Sequence, residues 1–414
     1  MSKANTKNAK GNLKNARSRS NDKTITDEKT STNQSVKKGK KSKGSMKVTK
    51  LKKSASKINK STKSAHQGNA RSPPKKSKEE KTGLKTTNSI MNCSTKPAGK
   101  KEKWVGEEAA ISWTNALSAV NMINDFGDLQ KMPVNNERCK IWQTNMHRNR
   151  HPDYKIYDDN RVVIQMSKND YINGSKINIP NFSRNTYLVQ IPKLEMIDAV
   201  EEFWRMVFTE QCASVHILAL PSELEKGFDC LFAQEAGGYL YANGFFINTR
   251  KVEKNASDKL DNYVVELLPE GCSNSVMCSV YIHMYWKQQG GPEKFHAPIK
   301  AAQMIAKNDI DNSPIAIVSV RGAGRNSALL TLAVIVQQFN KGMVPNIKEI
   351  VRTIREQRPL AVDSVTQYIS LYLATCWLIK AKLPSNVDVQ NKLKKFRTKC
   401  DPSSSQMSIT TENH

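Results

Sequence analysis

The stretch Ile315-Ala-Ile-Val-Ser-Val-Arg-Gly-Ala-Gly-Arg325 decides the fold, because it joins a short apolar run to a predicted helix that begins near Asn326. A glycine-rich turn between a buried strand and a helix directs backbone N–H groups inward, and the helix dipole adds positive potential there. A guanidinium at the end of such a turn can bind phosphate through a bidentate fork. The sequence therefore predicts a phosphate cradle formed by Ser319, Val320, Arg321, Gly322, Ala323, Gly324 and Arg325. The Gly-Lys-Ser/Thr ending of a nucleotide P-loop is absent, which argues against a nucleoside triphosphatase.

Strand and helix patterns alternate around this turn. Apolar spacing predicts helices over residues 107–126, 197–209, 297–307, 327–339, 347–357 and 364–380. Extended segments are predicted over residues 161–166, 176–179, 187–191, 214–220, 262–268, 279–285 and 315–320, with a loop over 237–244. Strands in the middle with helices at both ends predict an α/β domain over residues 104–385, followed by a polar tail over 386–414.

The first 103 residues have a different composition from the rest of the chain. They hold 30 Lys and Arg against 6 Asp and Glu, and all 28 aromatic residues lie at or beyond Trp104. A segment without aromatic residues and with high charge cannot bury enough apolar surface to offset the entropy lost on folding. The sequence therefore predicts a disordered basic arm over residues 1–103. Its Lys clusters favour an acidic partner or a solvated surface, and nucleic acid is the less favoured partner.

Several classes of protein are not indicated. The longest apolar stretches are far shorter than a membrane span, and no secretory signal precedes the arm. The eight Cys never form CxxC, and the seven His do not stand at zinc-ligand spacing beside them. We therefore expect no disulfide framework, metal or cofactor, and a reducing cytoplasmic compartment with the nucleus as the alternative.

Seven blocks in the correct order give the chain a resemblance to the phosphotyrosine-specific protein tyrosine phosphatases. Besides the cradle, the blocks are Asn149-Arg-His-Pro-Asp-Tyr with Asp159-Asn-Arg-Val-Val-Ile164, Asp170-Tyr-Ile-Asn-Gly-Ser175, Tyr187-Leu-Val-Gln-Ile-Pro192, Glu202-Phe-Trp-Arg-Met-Val207, Glu225-Lys-Gly-Phe-Asp-Cys230 and Ile354-Arg-Glu-Gln-Arg-Pro with Gln367-Tyr368. The resemblance implies that family's α/β fold, in which a central, mixed and twisted sheet is flanked by helices.

The resemblance also identifies departures at the positions that carry the family's chemistry. The nucleophilic Cys is replaced by Ser319, the general-acid Asp by Gln288, and the water-positioning Gln by Asp363. A serine hydroxyl without an adjacent base is a poor nucleophile, and an amide cannot supply the proton that the leaving group needs. Three changes together predict a pseudophosphatase, a family member without catalysis.

The positions that would bind substrate are partly kept. The resemblance implies that Glu225 clamps Arg325, that Asp153 and Gln367 are retained substrate-binding positions, and that His151 replaces the Tyr that stacks on the phosphotyrosine ring. The sequence predicts a phosphotyrosine-binding or scaffolding module whose partner is a tyrosine-phosphorylated protein or a kinase. Two alternatives stay open: an active tyrosine phosphatase, and binding of nucleic acid or an acidic surface through the arm.

Overall fold

A computed structural model describes residues 103–307 and 312–400. The predicted arm, apart from Lys103, and the last 14 residues lie outside this part of the chain. The α-helices of the described part are α1 (Glu107–Asn115), α2 (Ala119–Gln130), α3 (Lys140–Thr144), α4 (Ile197–Thr209), α5 (His296–Ala306), α6 (Arg325–Asn340), α7 (Ile347–Arg355), α8 (Val365–Lys382) and α9 (Val387–Lys399). The strands are β1 (Arg161–Val163), β2 (Tyr171–Ile177), β3 (Thr186–Gln190), β4 (Ser214–Leu218), β5 (Tyr239–Ala242), β6 (Phe245–Asn255), β7 (Leu260–Pro269), β8 (Val276–His283) and β9 (Ile315–Ser319).

The strands form one mixed sheet in the order β1-β2-β3-β9-β4-β8-β7-β6-β5. Strand β9 is parallel to both of its neighbours, and β4 is also parallel to β8, whereas the outer pairs are antiparallel. A parallel strand at the centre of a sheet is covered on both faces, which is why all five residues of β9 are buried. The predicted fold class, an α/β tyrosine-phosphatase-like fold with a central mixed sheet between helices, is confirmed.

Two hydrophobic clusters lie on opposite faces of the sheet. Ile315 and Ile317 of β9 belong to the cluster that contains α6 and α8, whereas Ala316 and Val318 belong to the cluster that contains α4. Successive residues of a strand point to opposite faces, so β9 contributes to both clusters. Helix α6 is buried along almost its whole length, and the cradle therefore lies between the most buried strand and the most buried helix of the described chain.

The predicted opening helix over residues 107–126 is wrong in extent. The structure has two helices, because Ser118 caps the second one by accepting a hydrogen bond from the amide of Asn121 at 3.2 Å. Val120 follows Trp113 and Leu117 at helical spacing, so a single helix would bury it with them, but in the structure it is 68% exposed. The predicted loop over residues 237–244 likewise contains strand β5, which pairs with β6.

The predicted boundary at residue 385 is also wrong, because α9 is part of the domain. Its residues Val389, Leu393 and Phe396 are buried in the same cluster as α8, and Asn386 caps the helix through the amide of Val389. The many Lys of this segment obscured a helical apolar face with i, i+4, i+7 spacing.

Candidate functional site

The predicted cradle is a turn from the end of β9 to the start of α6. Gly322 has φ +75°, and a Cβ atom there would lie 2.6 Å from an amino nitrogen of Arg358 and 2.8 Å from Cα of Gln190. Only glycine therefore fits this position. The Ser319 side chain is 1% exposed, and its hydroxyl accepts a hydrogen bond of 3.1 Å from the Gly322 amide. Within the described residues, the amides of Arg321, Ala323 and Gly324 meet no hydrogen-bond acceptor, as a cradle for an anion requires.

Glu223, and not the predicted Glu225, clamps Arg325. The guanidinium donates to the two carboxylate oxygens of Glu223 at 3.2 and 2.8 Å, and to the Trp286 carbonyl at 2.7 Å. Glu223 lies in a single helical turn directly after β4, whereas Glu225 is exposed two residues further on. Burial lowers the pKa of Arg325, and the Glu223 carboxylate opposes that shift.

The segment Trp286–Pro292, which carries Gln288, is attached to the cradle through the same carboxylate. The Gln288 amide donates to Glu223 Oε1 at 3.2 Å, and Trp286, which is fully buried, donates its ring N–H to the Gly290 carbonyl. From the other side, the Ser364 hydroxyl donates to the Gln289 carbonyl at 2.7 Å. One carboxylate thus connects the cradle arginine with the segment that carries the predicted general-acid position.

Asp363 lies against the cradle together with Tyr154 and Arg321. The Tyr154 hydroxyl donates to Asp363 Oδ2 at 2.7 Å and accepts from the Arg321 guanidinium at 3.0 Å. Arg321 and Asp363 also form an ion pair of 3.8 Å, and 7% of the Asp363 side chain is exposed. Burial, followed by the Asp363 charge, raises the pKa of Tyr154. A buried carboxylate therefore neutralises one of the two cradle arginines.

Three buried polar atoms at this place have no hydrogen-bond partner among residues 103–307 and 312–400. They are Arg321 Nε, Asp363 Oδ1 and Gln367 Oε1. A Cβ atom placed on Gly324 would clash with Asp363 Oδ1 and would lie 2.8 Å from the Gln367 amide nitrogen, so both side chains pack directly on the cradle. Buried polar atoms are normally paired, and such a group of unpaired atoms indicates a position that can take a ligand or water.

His151 and Asp153 belong to the segment that covers the cradle. Gln190 connects this segment with the cradle. Its side-chain oxygen accepts from the amides of Arg150 and His151, and its side-chain nitrogen donates to the carbonyl of Arg321 at 3.2 Å. His151 is half-buried, and burial together with the nearby Arg321 lowers its pKa. Asp153 is exposed at the rim. The predicted site residues are thus brought together, but Glu225 acts through its charge on Arg150 and His151, where it opposes the lowering of the pKa by burial, and does not clamp Arg325.

Four residues of this site have no predicted role in the sequence: Glu223, Tyr154, Gln190 and Arg358. Arg358 is fully buried and donates to the Gly322 carbonyl at 2.7 Å, to Ser175 Oγ at 3.2 Å and to Asn173 Oδ1 at 2.6 Å. Burial lowers its pKa to about 9. Arg358 thus connects the cradle backbone with β2. The block Ile354-Arg-Glu-Gln-Arg-Pro359 was a signal that could have identified it.

The fold and the cradle define a domain of the tyrosine-phosphatase class. Residues 145–377 match the model of the protein-tyrosine phosphatase family, and this match covers more than half of the chain. The chain belongs to the protein-tyrosine phosphatase family.

Individual relatives agree with that assignment. Two Caenorhabditis elegans proteins named as tyrosine-protein phosphatases are similar to the chain. One is 29% identical over 296 residues, which cover 71% of this chain and 72% of the relative. The other is 28% identical over 276 residues, covering 64% of this chain and 62% of the relative. In the second case the chain spans less than two thirds of the relative's length.

Solved structures show the same fold. The Trypanosoma cruzi protein tyrosine phosphatase TcPTP1 is 17% identical with a TM-score of 0.56, and the match covers 66% of this chain and 97% of that one. The catalytic domain of human protein tyrosine phosphatase non-receptor type 18 is 20% identical with a TM-score of 0.53, and the match covers 65% of this chain and 99% of that one. The human protein has also been solved in complex with HER2 phosphopeptides. At these identities the likeness concerns the fold alone.

Two further features concern the described residues only. They contain no group of three or more His, Cys, Asp or Glu that could hold a metal ion. None of their helices combines the length and the apolar character that crossing a membrane requires.

Proposed function

We propose that this chain is a pseudophosphatase that binds phosphotyrosine in a partner protein without hydrolysing it, and so acts in tyrosine-phosphorylation signalling. The observation that carries the proposal is the state of Ser319. Its hydroxyl accepts a hydrogen bond from the Gly322 amide, and no described imidazole, carboxylate or amine accepts its proton. A serine without a base to deprotonate it does not attack phosphorus at a useful rate.

The other two catalytic positions lack the family's groups as well. Gln288 stands where the family has its proton donor, and an amide cannot act as a general acid. Asp363 is a carboxylate, but Tyr154 and Arg321 already occupy its Oδ2 atom. The names of the relatives favour the alternative, an active phosphatase, and the turnover assay below distinguishes the two.

Binding is supported by the groups that remain. The amides of Arg321, Ala323 and Gly324 meet no acceptor in the described part of the chain, and Glu223 fixes the Arg325 guanidinium at the start of α6. Charge-assisted hydrogen bonds of this kind contribute roughly 1.5–3 kcal/mol each. Asp363 opposes an anionic ligand, because its carboxylate packs on Gly324 and pairs with Arg321. We therefore expect phosphate-dependent binding that is weakened by this internal carboxylate.

Two measurements test the proposal separately. The first follows phosphate release from a phosphotyrosine peptide, and we expect none. Turnover that Ser319→Ala abolishes would show that the chain is an enzyme. The second is calorimetry with the same peptide and its unphosphorylated twin, for which we expect binding of the phosphorylated form only. Equal affinities would refute phosphotyrosine binding.

Matched variants locate the binding. Arg325→Lys keeps the charge that Glu223 needs but loses the planar fork, and we expect affinity for the phosphopeptide to fall about tenfold. Arg352→Lys is the control, because Arg352 is 53% exposed on α7 and, among the described residues, pairs only with Glu349. Asp363→Asn keeps an acceptor for the Tyr154 hydroxyl and removes the charge, and it should strengthen binding roughly fivefold to tenfold. An unchanged affinity in Asp363→Asn would mean that the phosphate does not enter the cradle.

A further inference from the structure

A second concave site lies between α8, α9 and the residue before α5, away from the cradle residues. Its cavity measures about 570 Å³, a size typical of ligand sites. Phe295, Leu373 and Leu393 are buried or half-buried and form its apolar base. Asn391, Lys394, Arg397 and Thr398 of α9, and Lys380 of α8, are exposed at its mouth.

The mouth of this cavity is cationic. Lys380, Lys394 and Arg397 line it, and no acidic side chain of the described chain does. None of the three forms an ion pair with a described residue. Three unpaired cations around one concave, apolar base favour a ligand that is anionic and also has an apolar side chain.

We propose that this groove between α8 and α9 binds an acidic peptide segment of a partner protein, with one apolar side chain of the peptide in the cavity. Carboxylates of the peptide would pair with Lys380, Lys394 and Arg397, and the apolar side chain would pack on Leu373 and Phe295. Helix α9 has 13 residues and is about 20 Å long, so an extended peptide of about six residues fits along it.

Other anionic ligands fit less well. A membrane surface requires a flat or convex face, whereas these cations surround a concavity. Single-stranded nucleic acid is held by exposed aromatic rings beside the cations, and the aromatic residue that lines this cavity, Phe295, lies half-buried at its base. Because the groove shares no residue with the cradle, a peptide could occupy it whether or not the cradle binds phosphotyrosine.

The test measures binding of a fluorescent decapeptide to the full chain by fluorescence anisotropy. The peptide has eight Glu around a central Leu-Phe pair. The twin peptide has Gln in place of Glu. In the groove variant, Lys380, Lys394 and Arg397 are changed to Gln. In the matched control, the exposed Lys131, Lys176 and Lys254 are changed to Gln, so net charge falls equally. We expect the groove variant to lose about tenfold or more in affinity and the control less than about twofold. Equal losses would show that only net charge matters and would overturn the proposal.

A second variant tests the location without changing charge. Thr398 is exposed and lines the cavity, so Thr398→Trp should fill it and weaken binding of the acidic peptide several-fold. Unchanged binding in this variant, or equal binding of the Gln peptide, would overturn the proposal. So would tighter binding of an oligonucleotide or of anionic vesicles through the same three cations. A gain of tenfold or more on deleting residues 401–414 would mean that the chain's own tail occupies the groove, which would also refute a partner peptide.

Discussion

Replacement of Glu223 by Ala tests which carboxylate holds the cradle arginine. In the structure Glu223 accepts two hydrogen bonds from Arg325, one from the Leu220 amide at 2.9 Å and one from the Gln288 amide at 3.2 Å. Only 2% of the Arg325 side chain and 14% of Glu223 are exposed, so the variant leaves a buried guanidinium without its counter-ion. Removing one partner of a buried pair typically costs about 3–5 kcal/mol. The remaining bond from Arg325 to the Trp286 carbonyl places the expected loss near the lower limit, at about 3 kcal/mol.

The measurement is the free energy of unfolding from urea titrations followed by tryptophan fluorescence, supported by the melting temperature. A loss of about 3 kcal/mol corresponds to a decrease of roughly 5 °C in Tm, because a domain of this size has an unfolding entropy of about 0.6 kcal/mol/K, from about 2.1 cal/mol/K per residue. Glu225→Ala is the matched control, because this exposed carboxylate forms no ion pair with a described residue, and its change should stay within about 0.5 kcal/mol. If Glu225→Ala cost as much as Glu223→Ala, the clamp inferred from the structure would be wrong and the sequence-based expectation would be right.

Four further predictions concern other parts of the chain. Leu393→Ala in α9 should lower the free energy of unfolding by about 2–4 kcal/mol, whereas a value near zero would mean that α9 does not belong to the domain. Deletion of residues 1–102 should shift Tm by no more than a few degrees, and a larger decrease would show that this segment packs on the domain. His216 and His283 are buried and hydrogen-bonded to each other at 3.1 Å, and burial lowers the pKa of His216 to about 3 and that of His283 well below its ordinary value. As the pH falls, the unfolded chain takes up these protons first, so the free energy of unfolding is fully present above about pH 6.5 and should fall by about 3 kcal/mol for the pair between pH 6.5 and 5.0. A variant with both His changed to Asn should show a flatter dependence of this free energy on pH, and an equal slope would contradict this account. His151→Tyr should strengthen phosphopeptide binding by about 0.5–1.5 kcal/mol through ring stacking, and calorimetry showing weaker binding would exclude a stacked ring at this position.

Sequence alone determined the parts of the molecule that depend on local patterns. The four apolar residues of β9, the glycines of the following turn and the apolar run of α6 predict strand, turn and helix, because each is specified by residues close together in the chain. Gly322 and Arg325 could be assigned to a cradle for the same reason: a positive φ requires glycine, and a helix N-terminus attracts anions. The order of the seven sequence blocks then indicated the family.

Only the tertiary structure decided which side chains complete the site. Tyr154 and Asp363 are 209 residues apart in the chain, and Tyr154 and Arg321 are 167 apart, yet the three meet at the cradle. The choice of Glu223 over Glu225 depends on one helical turn after β4, and the inclusion of α9 depends on a buried face that its lysines concealed. A hydrogen bond forms only where donor and acceptor meet at the right distance and angle in space. The spacing of residues along irregular segments does not specify that geometry. The sequence therefore determined where a phosphate cradle lies, and the packing of distant loops decided that a buried carboxylate occupies its edge.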